Sequence, residues 1–87
     1  MTADVELVLP SGRFARVRPI TVRDLIVAFD DNSLAMQAKL VALTTTIDGQ
    51  PLHLEQWVEM ELDEFYPIMT HIGDVLRQTL KHTKGIA

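Results

Sequence analysis

Two histidine–carboxylate pairs are the first residues here whose types and spacing could do chemistry: His53 with Glu55, and His71 with Asp74. A spacing of three on a helix sets His71 and Asp74 on one side, where imidazole and carboxylate can share a metal ion. A metal site takes three or four ligands, however, and spacing places no third donor beside either pair. Glu55, Glu59, Glu61, Asp63 and Glu64 form a second cluster, with no base among them. A general acid and base drawn from these would need surroundings that drive their pKa values apart inside a cleft. Helix starts in so short a chain predict a solvated or docking face instead. Ser11 has no histidine near it in sequence, and Gly12 stands alone, so neither a nucleophile pair nor a phosphate loop is indicated. The expectation is a protein that is not an enzyme, with no cofactor and no metal.

Composition narrows the partners. The chain has 87 residues, 47% of them hydrophobic and 23% charged, which are the proportions of a folded protein. A single domain of this size buries only roughly 60–65% of its unfolded surface, so apolar surface is left over. No cysteine is present to staple the core. Net charge is −4, with seven acids against three bases after residue 45. General nucleic-acid binding needs the opposite sign. No apolar run reaches the ~18 residues of a membrane span, and no basic stretch leads into an apolar one at the start. The expected setting is the cytosol.

The elements that must position these residues read as α+β: an N-terminal β-hairpin followed by three to four helices. Val5, Leu7 and Leu9 alternate with Glu6 and Val8, and Ala15 and Val17 alternate with Phe14, Arg16 and Arg18. Pro10-Ser11-Gly12 between them predicts a turn, giving a hairpin over about 4–18. A lone hairpin is marginal in water, so Val5, Leu7 and Leu9 are expected to dock on the helices.

Thr21 and Asp24 form a short capping box for a helix over about 22–30, with Ile20 and Leu25 as its hydrophobic staple. Ser33 is expected to cap a helix over about 34–45 whose stripe is Met36, Leu40, Leu43 and Ile47. Three threonines and Asp48-Gly49-Gln50-Pro51 then break the chain. A short helix follows over about 55–60, presenting Leu54, Trp57 and Val58. Asp63 is expected to cap the last, about 64–82, with Pro67 pushing its start toward Tyr66. Phe65, Ile68 or Met69, Ile72, Val75 or Leu76, and Leu80 are its buried stripe, Gly73 a point of close helix approach, and Lys81, His82 and Lys84 cations at its negative end.

Two resemblances bear on function. Asp31-Asn32-Ser33-Leu34 resembles the Asp-Ser-Leu site at which acyl carrier proteins take phosphopantetheine, in small acidic helical domains. Asparagine precedes the serine here, and a hairpin stands where that family has a long first helix. A carrier modified at Ser33 is therefore the alternative reading, beside a small regulatory adaptor. The fuller resemblance runs from residue 5 to about 80. Val5-Glu6-Leu7-Val8-Leu9-Pro10-Ser11-Gly12-Arg13, then Arg18-Pro19-Ile20-Thr21-Val22-Arg23-Asp24-Leu25, is similar to the opening of tail assembly chaperones of P2-like and Mu-like phages. Leu62-Asp63-Glu64-Phe65 matches their entry to a last helix. The resemblance implies no catalytic residues and a role in phage or prophage tail morphogenesis in the host bacterial cytosol. Its implied partner is the tape-measure protein, with the tail tube protein and self-association as further contacts, and with no nucleic acid or membrane.

The contact residues are expected between 54 and 66, where acids and large aromatics alternate: Glu55, Trp57, Glu59, Glu64 and Tyr66. Trp57 and Tyr66 are read either as core or as partner anchors. Arg13, Arg16 and Arg18 make a competing patch that suits an acidic partner.

Overall fold

The computed structural model describes residues 4–86, with side-chain surroundings as far as Thr79. The fold is α+β: a four-stranded antiparallel sheet and four helices. The elements run β1 (Val5–Val8), β2 (Phe14–Val17), α1 (Val22–Ala28), α2 (Ser33–Thr44), β3 (Thr45–Ile47), β4 (Gln50–Pro51), α3 (Leu54–Val58) and α4 (Leu62–Ile86).

The expected hairpin is present, with Val5 opposite Val17 and Leu7 opposite Ala15. Its turn needs Gly12, whose φ of +90° lies in the left-handed region, and closes with the Gly12 amide donating to the Leu9 carbonyl at 2.8 Å. Alternation sends Leu7, Ala15 and Val17 inward, while Glu6 and Arg16 face solvent as a cross-strand ion pair at 3.1 Å. Leu9 is buried and Leu7 half-buried, but Val5 is exposed, so docking rests on the later two.

The break after residue 44 is in fact half of the sheet. β3 pairs with β2, Ala15 lying opposite Ile47 and Val17 opposite Thr45, and β4 pairs with β3. Asp48 and Gly49 have φ of +50° and +82°. Consecutive left-handed residues make the tight hairpin turn whose twist matches the flanking strands. Asp48 adds a bond of its own, its Oδ1 accepting from the Phe14 amide at 2.9 Å. The β-branched threonines that weaken a helix are what a strand favours.

This corrects the reading of α2. Ile47 belongs to β3, Leu43 is exposed, and the residues α2 buries are Leu40, Val41 and Thr44. Asn32 rather than Ser33 caps the helix, its Oδ1 accepting from the amides of Leu34 and Ala35 at 3.0 and 3.1 Å. An Asn oxygen one position earlier reaches amides that Ser33, already helical, cannot. α1 keeps its capping box, with Asp24 N–H to Thr21 Oγ1 at 3.3 Å and Thr21 N–H to Asp24 Oδ2 at 2.8 Å. Ile20 and Leu25 both pack against the core.

α4 begins at Leu62, earlier than Pro67 suggested, and the Phe65 amide reaches the Glu61 carbonyl at 3.1 Å. Asp63 is thus inside the helix and does not cap it. Pro67 sits within and forgoes one backbone bond, which the burial of Phe65, Ile68 and Ile72 around it outweighs. Gly73 is not a close approach, since a Cβ built there meets nothing within 4 Å. Leu80, Lys81, His82 and Lys84 have side chains outside the described residues. One cluster joins the inner sheet face (Ala15, Val17, Ile47) to Leu40 and Val41 of α2, Trp57 of α3 and Phe65, Ile68 and Ile72 of α4. Among the described residues, no helix is long and apolar enough to cross a membrane.

Candidate functional site

Charge pairing divides the surface into two unlike halves. Arg13 reaches Glu64 at 3.2 Å, Arg16 reaches Glu6, and Arg18 grips Asp24 with two bonds of 2.8 and 2.7 Å. Arg18 also donates to the carbonyls of Leu43 and Pro19, so its guanidinium ties β2 to α1 and to the end of α2. Its hydrogen bonds, joined by those from Thr21, outweigh burial and hold the Asp24 carboxyl well below the usual carboxylate range. The arginine patch is therefore spent on structure. Lys39 pairs with Asp30 and Arg77 with Asp74, which leaves Arg23 the one unpaired arginine or lysine among the described residues.

The acids of α3 and the α3–α4 corner are the reverse case. Glu55, Glu59, Glu61 and Asp63 are exposed and have no ion pair among the described residues. Glu64 differs from its neighbours, being buried with hydrogen bonds from the Ser11 amide at 3.0 Å and from Arg13. Ser11 first, then Arg13, lowers its carboxyl from the ordinary glutamate value.

Beside these acids lies an apolar groove of about 380 Å³ between the start of α2 and the α3–α4 corner. Its floor is Trp57 and Phe65, whose rings meet edge to face with centroids 6.4 Å apart. Half-buried Met60, Ala35 and Ala38 continue it. Its lips are Leu34, Val58 and Leu62, exposed by 61%, 65% and 70%. A shallower depression shares Leu62 and adds Glu61, Asp63 and Tyr66, so acids rim one end. The Trp57 indole N–H is buried without an acceptor.

The five expected contact residues thus separate. Trp57 is core, 2% exposed, and serves the groove only as its floor; Glu64 is engaged by the hairpin turn. Glu55, Glu59 and Tyr66 remain on the surface. Leu34 lies outside the expected stretch of 54 to 66, because this wall of the groove comes from α2.

A second apolar surface lies on α1 and its C-cap. Val22 and Ile26, four apart on the helix, and the capping Phe29 have exposures of 72%, 71% and 67%. Exposed Val27 adjoins them.

The chemistry-bearing pairs are not brought together as sites. Asp74 pairs with Arg77, His71 lines a cleft with Ile20 and Val75, and the His53 amide donates to the Gln56 side chain at the start of α3. Among the described residues no three His, Asp or Glu side chains gather closely enough for a metal ion. Ser33 is exposed, and its hydroxyl accepts from the Gln37 side-chain amide at 3.4 Å.

Fold and groove define a small α+β domain with unpaired acids beside an open apolar channel. Comparisons with known protein families, curated proteins and solved structures find no match to this chain.

Proposed function

We propose that the protein is a non-enzymatic tail assembly chaperone of a phage or prophage, acting in the bacterial cytosol to bind the tape-measure protein. The supporting observation is how much apolar side chain stays in solvent. Among the described residues thirteen large hydrophobic side chains are exposed, and eight of them gather on α1 with its C-cap (Val22, Ile26, Val27, Phe29) and round the groove and the depression beside it (Leu34, Val58, Leu62, Tyr66). Scattered apolar residues need no explanation, whereas grouped ones mark surfaces made to be covered. A long, helical, aggregation-prone chain awaiting its tube subunits is an occupant of that kind. The order of elements agrees with the resemblance noted in the sequence, from the strand-turn-strand opening to the Thr21-x-x-Asp24-Leu25 helix entry.

Co-expression tests this. The tape-measure protein of the phage or prophage that encodes this chain should accumulate in the soluble fraction and co-purify with it, and should precipitate without it. A tape-measure protein equally soluble alone, with no co-purification, overturns the reading.

A further inference from the structure

We propose that the groove between the start of α2 and the α3–α4 corner holds one amphipathic helix whose apolar stripe is flanked by lysine or arginine. This names the recognition site for the partner proposed above, and rests on that reading for whose helix it is.

Three observations lead to this occupant. The walls are segments of helices α2, α3 and α4 and no edge of the sheet, so they offer no ladder of amides and carbonyls for a strand to pair with. An extended strand laid here would leave its own amides unpaired, while a helix brings its bonds with it. The floor is apolar and the lips Leu34, Val58 and Leu62 stand in water, so the face entering must be apolar too. Charge then selects the flanks. Glu55, Glu59, Glu61 and Asp63 have no ion pair among the described residues, and no lysine or arginine occurs between Lys39 and Arg77. Glu61 and Asp63 stand at one end of the groove, and an apolar anchor flanked by acids attracts a basic segment and rejects an acidic one.

Trp57 is the chain's single tryptophan and lies in the groove floor, so its fluorescence reports occupancy. The probes are tryptophan-free peptides of about twenty residues, long enough to form a helix. One is leucine/lysine with helical patterning, one is its leucine/glutamate counterpart, and one is leucine/lysine with the pattern scrambled. The patterned leucine/lysine peptide should give a saturable change, and the other two should bind at least about tenfold more weakly. Leu34→Asp and Val58→Asp alter exposed residues, so the fold should persist, and each should weaken binding by about tenfold or more. Ile26→Asp on α1 should leave it unchanged. Glu59→Lys with Glu61→Lys should weaken it and flatten its salt dependence.

Equal binding of the acidic or scrambled peptide overturns the proposal. So does loss of binding with Ile26→Asp but not with Leu34→Asp. Failure here is separable from failure of the chaperone reading. If Leu34→Asp and Val58→Asp still co-purify with the tape-measure protein while Ile26→Asp does not, the chaperone stands and the site moves to α1. If wild type fails to co-purify but takes the basic peptide, the groove stands without that partner.

Discussion

Glu64 and Arg13 are 51 positions apart in sequence, yet Arg13 Nη2 lies 3.2 Å from Glu64 Oε1 while the Ser11 amide donates to Oε2 at 3.0 Å. One carboxylate thus fastens the first β-turn to the first turn of α4. It also explains why Glu64 lies outside the acidic surface its neighbours make. Glu64→Ala should lower the denaturant midpoint, because the turn amide and guanidinium lose their acceptor. Glu64→Gln keeps a carbonyl oxygen for Ser11 and should lose less. Equal midpoints for wild type and both variants would show that the latch contributes nothing.

Acid should weaken the protein through Asp24 and Glu64. Both carboxyls have folded-state pKa values below their unfolded ones. Their contributions are therefore complete above the unfolded value of about 4 and fall away as pH drops toward and through the folded values. Thermal midpoints should hold level from about pH 7 to 5 and decline below about pH 4. Asp24→Asn should start lower at neutral pH and decline less, since the group that titrates is gone. A variant profile parallel to wild type would place the pH dependence elsewhere.

Hairpin docking should depend more on Leu9 than on Leu7. Leu9 is 2% exposed, and a fully buried leucine cut to alanine costs about 2–5 kcal/mol. Half-buried Leu7 should lose clearly less, and Val5→Ala least. Urea unfolding of the three variants gives the order directly.

Gly73 offers a gain. It lies inside α4, has no left-handed φ, and has open space where a Cβ would stand. Gly73→Ala should therefore stabilise by up to about 1 kcal/mol. A lower midpoint would point to a neighbour pressing on this face of the helix.

The cap of α2 separates two functions as well as two residues. Asn32→Ala should cost about 1 kcal/mol, since two amides lose their acceptor, while Ser33→Ala should change stability little. Intact mass after co-expression with a phosphopantetheinyl transferase should stay unchanged. A mass increase abolished by Ser33→Ala would replace the chaperone with a carrier protein.

The sequence by itself determined what is local. The hairpin of Val5–Val8 with Phe14–Val17, the Pro-Ser-Gly turn and the Thr21–Asp24 box are written in neighbouring residues and form as read, except that Val5 stays exposed. The Asp48-Gly49 hairpin turn is equally local, but the strands flanking it are only three and two residues long, too short to show an alternation. β3 exists because β2 already offers an open edge, so its partner, and not Thr45–Ile47 alone, makes it a strand. Tertiary structure decided the rest. Each long-range outcome depends on which distant groups surround a residue: Trp57 is buried because it packs in one cluster with residues of α2 and α4, and Glu64 is a latch because Arg13 and the Ser11 amide fold back to it. The α3 acids have no ion pair among the described residues because Arg13, Arg16 and Arg18 reach Glu64, Glu6 and Asp24 instead. The groove belongs to that second kind, since Leu34 and Leu62 are 28 positions apart and only packing makes them two sides of one channel.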